Sequence, residues 1–267
     1  MAPGSGYANR DFPPPGYPPP PTPTAARLFD RYVRGQVRRC FTGVHWAGGE
    51  IERWDRPTPT LFLANHTNWW DGFLASLLTR RLGLTFHVLM EARHLARYRM
   101  FRRVGALPIR RGRPREAYAD LLAAARYLRP GAALWVFPQG ERRPPREPIG
   151  RCERGAAELV RRAGSPVRVC PVALRYAFVG EQLPEAFLLV GDAWTPEIGA
   201  LTDRETLMGD MERRLAATVD ELDERLDAER LDLFGPLAHG KLSINKRLDR
   251  VRHALGLLRG PFEARNG

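Results

Sequence analysis

Asn65-His66-Thr67-Asn68-Trp69-Trp70-Asp71 is the stretch whose residue types can do chemistry. An imidazole titrates near neutral pH and can serve as a general base or acid. A carboxylate that accepts a hydrogen bond from one ring nitrogen fixes the tautomer and leaves the other nitrogen to take a proton. Spacing decides whether the two can meet. On a continuous helix, five positions place His66 and Asp71 about 140° apart at 100° per residue. They meet only if His66 lies in a turn and Asp71 in the first turn of the next helix. The apolar run 61–64 reads as the strand before that turn, and 71–80 as the helix after it. A capping Asn68 with a solvated first-turn aspartate would account for the same residues.

Two further loops carry polar or basic groups after short strands. One is Gly105 to Arg111, with Arg110 and Arg111 and then Arg113 after it; the other is Phe137-Pro138-Gln139-Gly140-Glu141-Arg142. In open α/β sheets, the loops at the carboxyl ends of parallel strands converge on one site. That site would hold a His/Asp pair, arginines suited to phosphate, and a glycine turn whose amides could bind an anion. Trp69 and Trp70 would line an apolar path, sit at a membrane surface or pack in the core.

The positioning elements follow from periodicity and breakers. The spacing predicts helices over 25–40, 91–103, 115–128, 151–163 and 202–230. It predicts strands over 44–51, 84–89, 104–109, 132–137, 167–174 and 187–190. Alternation of strands and helices argues an α/β fold: a mixed, largely parallel sheet flanked by helices. An N-terminal amphipathic helix and C-terminal helices complete it. Leu28, Tyr32 and Val33 form one side of the first helix, among arginines at 27, 31, 34, 38 and 39. The stretch 234–260 is basic, with an apolar stripe at Leu248, Val251, Leu255 and Leu258. Residues 1–24 are dominated by proline and read as a disordered tail. The domain would then span 25–267, with its core at about 41–235 and a basic segment at 236–267.

The 267 residues carry a formal charge of +12, and 43% of them are hydrophobic, enough for a full core. Lys241 and Lys246 are the only lysines, so the charge is almost all arginine. Such a balance calls for an anionic partner. Nucleic acid is disfavoured, because the basic residues are spread along the chain without a zinc finger, helix-turn-helix or RNA-reading motif. No apolar run is long enough to span a membrane, and no signal peptide is evident. Cys40, Cys152 and Cys170 have no metal-ligand spacing and read as thiols of a reducing compartment, with Cys170 as packing. The arginine-rich helix at 27–39 and the C-terminal stripe suit contact with anionic lipid; solvated helix faces would give the same pattern.

Taken in order, these motifs resemble those of the 1-acyl-glycerol-3-phosphate acyltransferase family of glycerolipid acyltransferases. Asn65, His66 and Asp71 match its Asn-His-x4-Asp motif. Gly105 and Arg111 match its second, Phe137-Pro138-Gln139-Gly140 its third, and Val169-Cys170-Pro171-Val172 its fourth. The resemblance extends over about 41–189. It implies acyl transfer from an acyl thioester, on coenzyme A or acyl carrier protein as co-substrate, to a lipid hydroxyl. No resident cofactor or metal is implied. His66 and Asp71 would be catalytic. Substrate binding would fall to Asn65, Gly105, Arg110, Arg111, Arg113, Phe137, Pro138, Gln139, Gly140 and Arg142. Expected partners are a membrane lipid surface, the thioester carrier and the lipid acceptor, on the inner face of the cell membrane. The family's third-motif glutamate is Gln139 here. The change removes a negative charge, adds an amide donor, and opens a neutral or glycosylated lipid alcohol as acceptor.

Overall fold

The computed structural model describes residues 12–48, 57–197, 199 and 203–241. Eight strands form one sheet: β1 (Gly43–Gly48), β2 (Thr60–Ala64), β3 (Thr85–Glu91), β4 (Ala106–Ile109), β5 (Ala132–Val136), β6 (Arg168–Ala177), β7 (Glu185–Val190) and β8 (Gly235–His239). Their spatial order is β4-β3-β5-β2-β6-β7-β1-β8. From β4 to β6 every pairing is parallel, and so is β7 with β1. The pairs β6/β7 and β1/β8 are antiparallel. The sheet is mixed and largely parallel, as the alternation of elements predicts.

Burial explains the apolar runs. All five residues of β2 and all five of β5 are buried, because helices cover both faces of the sheet. Side chains alternate between the two layers. Phe62, Ala64 and Trp135 pack toward α1 (Pro23–Cys40) and α2 (Asp71–Arg81). Leu61, Leu63 and Leu134 pack toward α4 (Pro114–Ala125), α5 (Gly155–Arg162) and α6 (Arg204–Asp227). Phe62 and Trp135 are register partners and stack with ring centroids 4.4 Å apart. The Trp135 indole N–H donates to Thr79 Oγ1 at 2.7 Å, which ties α2 to the sheet centre.

Several boundaries differ from the sequence reading. The predicted helix 91–103 divides into α3 (Ala92–Arg97) and a 3₁₀ turn, Arg99–Val104, which ends at Gly105 with φ 103°. In α1, Thr22 caps the first turn and the inward face is Phe29, Val33 and Val37. Leu28 and Tyr32, expected beside Val33, instead point outward at 64% and 46% exposure. Residues 235–239, expected within a basic C-terminal segment, form β8 and close the sheet edge beside β1.

The proline-rich region is the clearest correction. Residues 12–22 lie against the domain instead of forming a free tail. Pro14 and Pro18 are buried. Tyr127 Oη donates to the Pro18 carbonyl, Tyr17 Oη donates to Asp120, and Arg102 Nη2 donates to the Gly16 carbonyl at 2.8 Å. Phe12 packs edge-on against Tyr127 at 5.0 Å. Proline suits this role, since an extended segment with fixed φ loses little entropy on docking. Residues 1–11, the end of the predicted strand 44–51, the start of the predicted helix 202–230 and the stripe Leu248 to Leu258 lie outside the described residues.

Candidate functional site

Strand β2 ends at Ala64, and the chain must turn at once to enter α2 at Asp71. Asn65 anchors the turn. Its side-chain amide donates to the Leu174 carbonyl at 3.1 Å and its Oδ1 accepts the Leu174 N–H at 2.7 Å. The side chain therefore substitutes for the next rung of the β2/β6 ladder. At 1% exposure it reaches no substrate, so the substrate-binding role expected of Asn65 becomes one of positioning.

The following residues wrap around the Asp71 carboxylate, which is fully buried. His66 Nδ1 lies 2.7 Å from Asp71 Oδ2, and the same oxygen accepts the backbone N–H groups of Thr67 at 2.8 Å and Asn68 at 2.9 Å. Asp71 Oδ1 accepts the Tyr176 hydroxyl at 2.6 Å. A buried carboxylate needs such compensation, and its place in the first turn of α2 adds the helix dipole. An ionised carboxylate only accepts, so Nδ1 carries the proton toward Asp71 and Nε2 is the basic nitrogen. His66 keeps 24% side-chain exposure. The predicted His/Asp contact forms in the predicted way, with the histidine in the turn and the aspartate in the first helical turn.

Strand β5 delivers the third loop beside this pair. Phe137 stacks on the His66 ring with centroids 4.5 Å apart and planes at 28°. Gln139 Oε1 accepts the His66 N–H at 2.8 Å, and the His66 carbonyl accepts the Arg143 N–H at 2.8 Å. Both backbone polar groups of the histidine are thus held by the 137–143 loop. Gln139 is 8% exposed and acts here through its carbonyl oxygen, an acceptor that glutamate would also supply. Pro138 is buried, and its carbonyl accepts the Glu153 N–H at 2.7 Å.

Arg111 reaches this loop from the β4 side. It donates to the Gly140 carbonyl and, at 2.8 Å, to Glu153 Oε1. Gly140 has φ 73°, the left-handed region that favours glycine. The Gly140 N–H is bonded to the Phe137 carbonyl at 3.0 Å, and those of Thr67 and Asn68 to Asp71. The Gly140 amide is therefore used within its own turn. Arg142 is exposed at the outer side of the loop.

Other expected binding residues support the frame instead. Gly105 lets β4 approach β3: a Cβ there would lie 2.1 Å from the Phe86 carbonyl oxygen. Arg110 clamps the buried Asp120, through its backbone N–H at 2.8 Å and its guanidinium at 2.6 and 2.9 Å. Burial pushes the Asp120 carboxyl up, but hydrogen bonds from Arg110 and Tyr17 outweigh it and hold the group below its ordinary value. Arg113 is 72% exposed and pairs with Glu116 at 3.0 Å. Trp70 is buried and Trp69 is 56% exposed, so the adjacent tryptophans have different environments.

Sequence reasoning missed two residues. Tyr176 lies on β6 two positions beyond Leu174, so period-two alternation puts it on the α2 face at the strand's carboxyl end. A polar-tipped aromatic there was a legible signal. Burial raises its hydroxyl pKa well above the ordinary value, and the Asp71 charge adds to the effect. Glu153 carried no such signal. Among the described residues, no group of three or more His, Cys, Asp or Glu side chains is arranged to hold a metal.

Residues 50–175 match the acyltransferase family model. Among solved structures, the fold is similar to that of the 1-acyl-sn-glycerophosphate (LPA) acyltransferase PlsC from Thermotoga maritima. The TM-score is 0.54 at 18% identity, over 75% of this chain and 80% of that one. No curated protein shows significant sequence similarity to the chain.

Proposed function

On the match of residues 50–175 to the acyltransferase family model, we propose that the chain is an O-acyltransferase that moves a fatty acyl group from an acyl thioester to a lipid hydroxyl. The carrier is coenzyme A or acyl carrier protein. The acceptor is a lysophospholipid or another lipid alcohol. The observation that supports this reading is the His66 Nδ1···Asp71 Oδ2 contact at 2.7 Å, which leaves Nε2 to act as the base.

In the reaction, the acceptor hydroxyl gives its proton to His66 Nε2 as its oxygen attacks the thioester carbonyl. The tetrahedral intermediate collapses, the C–S bond breaks, and the departing thiolate takes the proton back from the imidazolium. Asp71 orients the ring and stabilises its charged form. No serine or cysteine is hydrogen-bonded to His66 among the described contacts, which favours direct transfer over an acyl-enzyme. Arg111 is the cation best placed for a phosphate of acceptor or carrier, since it alone of the three loop arginines touches the 137–143 loop.

Among the described residues, no helix is long and apolar enough to cross a membrane. We place the enzyme peripherally on the inner face of the cell membrane, where lipid acceptors reside. The test is ester formation by the purified full chain, read by mass spectrometry. Acyl-CoA and acyl carrier protein thioesters are each offered with a panel of lysophospholipids, monoacylglycerols and glycolipids. The expected result is one acylated class, lost in His66→Ala. Absence of product from every wild-type combination overturns the reading.

A further inference from the structure

The arginines that make the candidate site basic in sequence are matched by carboxylates in the fold. Arg110 pairs with Asp120 at 2.6 Å and with Glu116 at 3.1 Å, and Arg113 pairs with Glu116 at 3.0 Å. Arg143, whose N–H holds the His66 carbonyl, pairs with Glu141 at 2.8 Å and Glu147 at 3.0 Å. Arg111 pairs with Glu153 at 2.8 Å. Four guanidinium groups thus face five carboxylates, so the +12 formal charge of the chain is not concentrated on these loops.

One of these pairs bears directly on the acceptor. Arg111 is the guanidinium best placed for a phosphate, and Glu153 holds it. Its Nη1 donates to the Gly140 carbonyl and its Nη2 to Glu153 Oε1 at 2.8 Å, so both terminal nitrogens are engaged. Glu153 is fixed to the same loop through its backbone, whose N–H donates to the Pro138 carbonyl at 2.7 Å. The 137–143 loop that braces His66 therefore also positions this carboxylate.

Forked recognition of a phosphate uses two parallel N–H groups of one guanidinium. A phosphomonoester at Arg111 would have to displace Glu153 or sit beside it, and like charges about 4 Å apart repel. An uncharged head group meets no such repulsion, and its hydroxyls can donate to the carboxylate. Arg111 and Glu153 side chains are 40% and 58% exposed, so both are open to a ligand. At that exposure the pair adds little to stability, which leaves selection as its effect. We propose that Glu153 is a specificity-determining residue: by holding Arg111 it disfavours phosphomonoester head groups and selects a lipid acceptor whose hydroxyl sits on an uncharged group. The inference rests on the lipid acyl-transfer reading for the reaction, but acceptor binding is measured without turnover.

The test compares lysophosphatidate with the monoacylglycerol of the same acyl chain, using the full chain, Glu153→Gln and Glu221→Gln. Glutamine keeps an oxygen to which Arg111 can donate and removes only the charge. The wild type is expected to give the higher kcat/KM with the monoacylglycerol. Glu153→Gln should raise kcat/KM for lysophosphatidate about tenfold, chiefly through a lower KM, with the monoacylglycerol value held within about twofold. Glu221→Gln makes the same charge change in the Glu221–Arg225 pair on α6 and should leave both values as in the wild type. Calorimetric binding of short-chain lysophosphatidate should tighten by the same factor in Glu153→Gln, at unchanged melting temperature. A wild-type preference for lysophosphatidate overturns the proposal. So do an unchanged acceptor ratio or unchanged lysophosphatidate binding in Glu153→Gln, and equal gains for both acceptors. Tighter binding as expected, without turnover of any acceptor, would count against the acyl-transfer reading alone.

Discussion

The Tyr176 hydroxyl donates to Asp71 Oδ1 at 2.6 Å, the carboxylate oxygen that His66 does not use. The strand after the fourth motif thus supports the first motif's aspartate from the opposite side. Tyr176→Phe removes one donor to a buried charge, which costs about 1.5–3 kcal/mol. It also leaves more negative charge on Asp71 to stabilise the His66 imidazolium. The melting temperature should fall on the scale of that lost bond, and the acid limb of the kcat/KM profile should move to higher pH. A purely structural role would lower stability and leave the profile in place.

His66→Ala removes the base while Asp71 retains its amide donors from Thr67 and Asn68. The fold should persist and transfer should vanish. In Asp71→Asn the amide oxygen can still accept those donors, but the charge that stabilises the imidazolium is gone. A loss of about 10⁴ in kcat is expected, as for other His–Asp pairs. Steady-state assays of both purified variants, with thermal melts as the folding control, check this.

Gln139 holds the His66 backbone N–H with its carbonyl oxygen at 2.8 Å. Gln139→Leu leaves that N–H unpaired, at a cost of about 1–3 kcal/mol, and should lower kcat. Gln139→Glu keeps the acceptor and replaces the amide donor with negative charge. It should retain turnover and shift the kcat/KM ratio between lysophosphatidate and a neutral lipid alcohol, with little change in donor preference. An unchanged ratio would assign Gln139 to loop positioning alone.

His87 is 2% exposed and rings with Tyr127 at 4.9 Å. Burial lowers its pKa from 6.5 to about 4, against a smaller raising effect of the Gly105 backbone. A depressed folded value means that the unfolded chain binds the proton first. The stability associated with neutral His87 is therefore full above pH 6.5 and is lost as pH falls toward 4, by about 3 kcal/mol in all. Melting temperatures between pH 7 and pH 4 should fall less steeply in His87→Phe.

The sequence by itself determined the α/β class, most elements and the order of the three loops, and it allowed the His66/Asp71 pairing. Each is local: strand and helix periods differ, and a five-residue separation permits contact only across a strand–turn–helix junction. Asn65, Gly105 and Arg110 were also legible as motif residues, but their roles were not. Only the tertiary structure decided that Asn65 bonds β6 across 109 positions, that Gly105 clears the Phe86 carbonyl, and that Arg110 is held by Asp120. The same holds for the docking of residues 12–22, which composition alone reads as a tail although Tyr17 and Tyr127 secure it. Residue type fixes what a side chain can donate or accept. Which partner it meets depends on which strands are neighbours, and strand order is a property of the folded sheet.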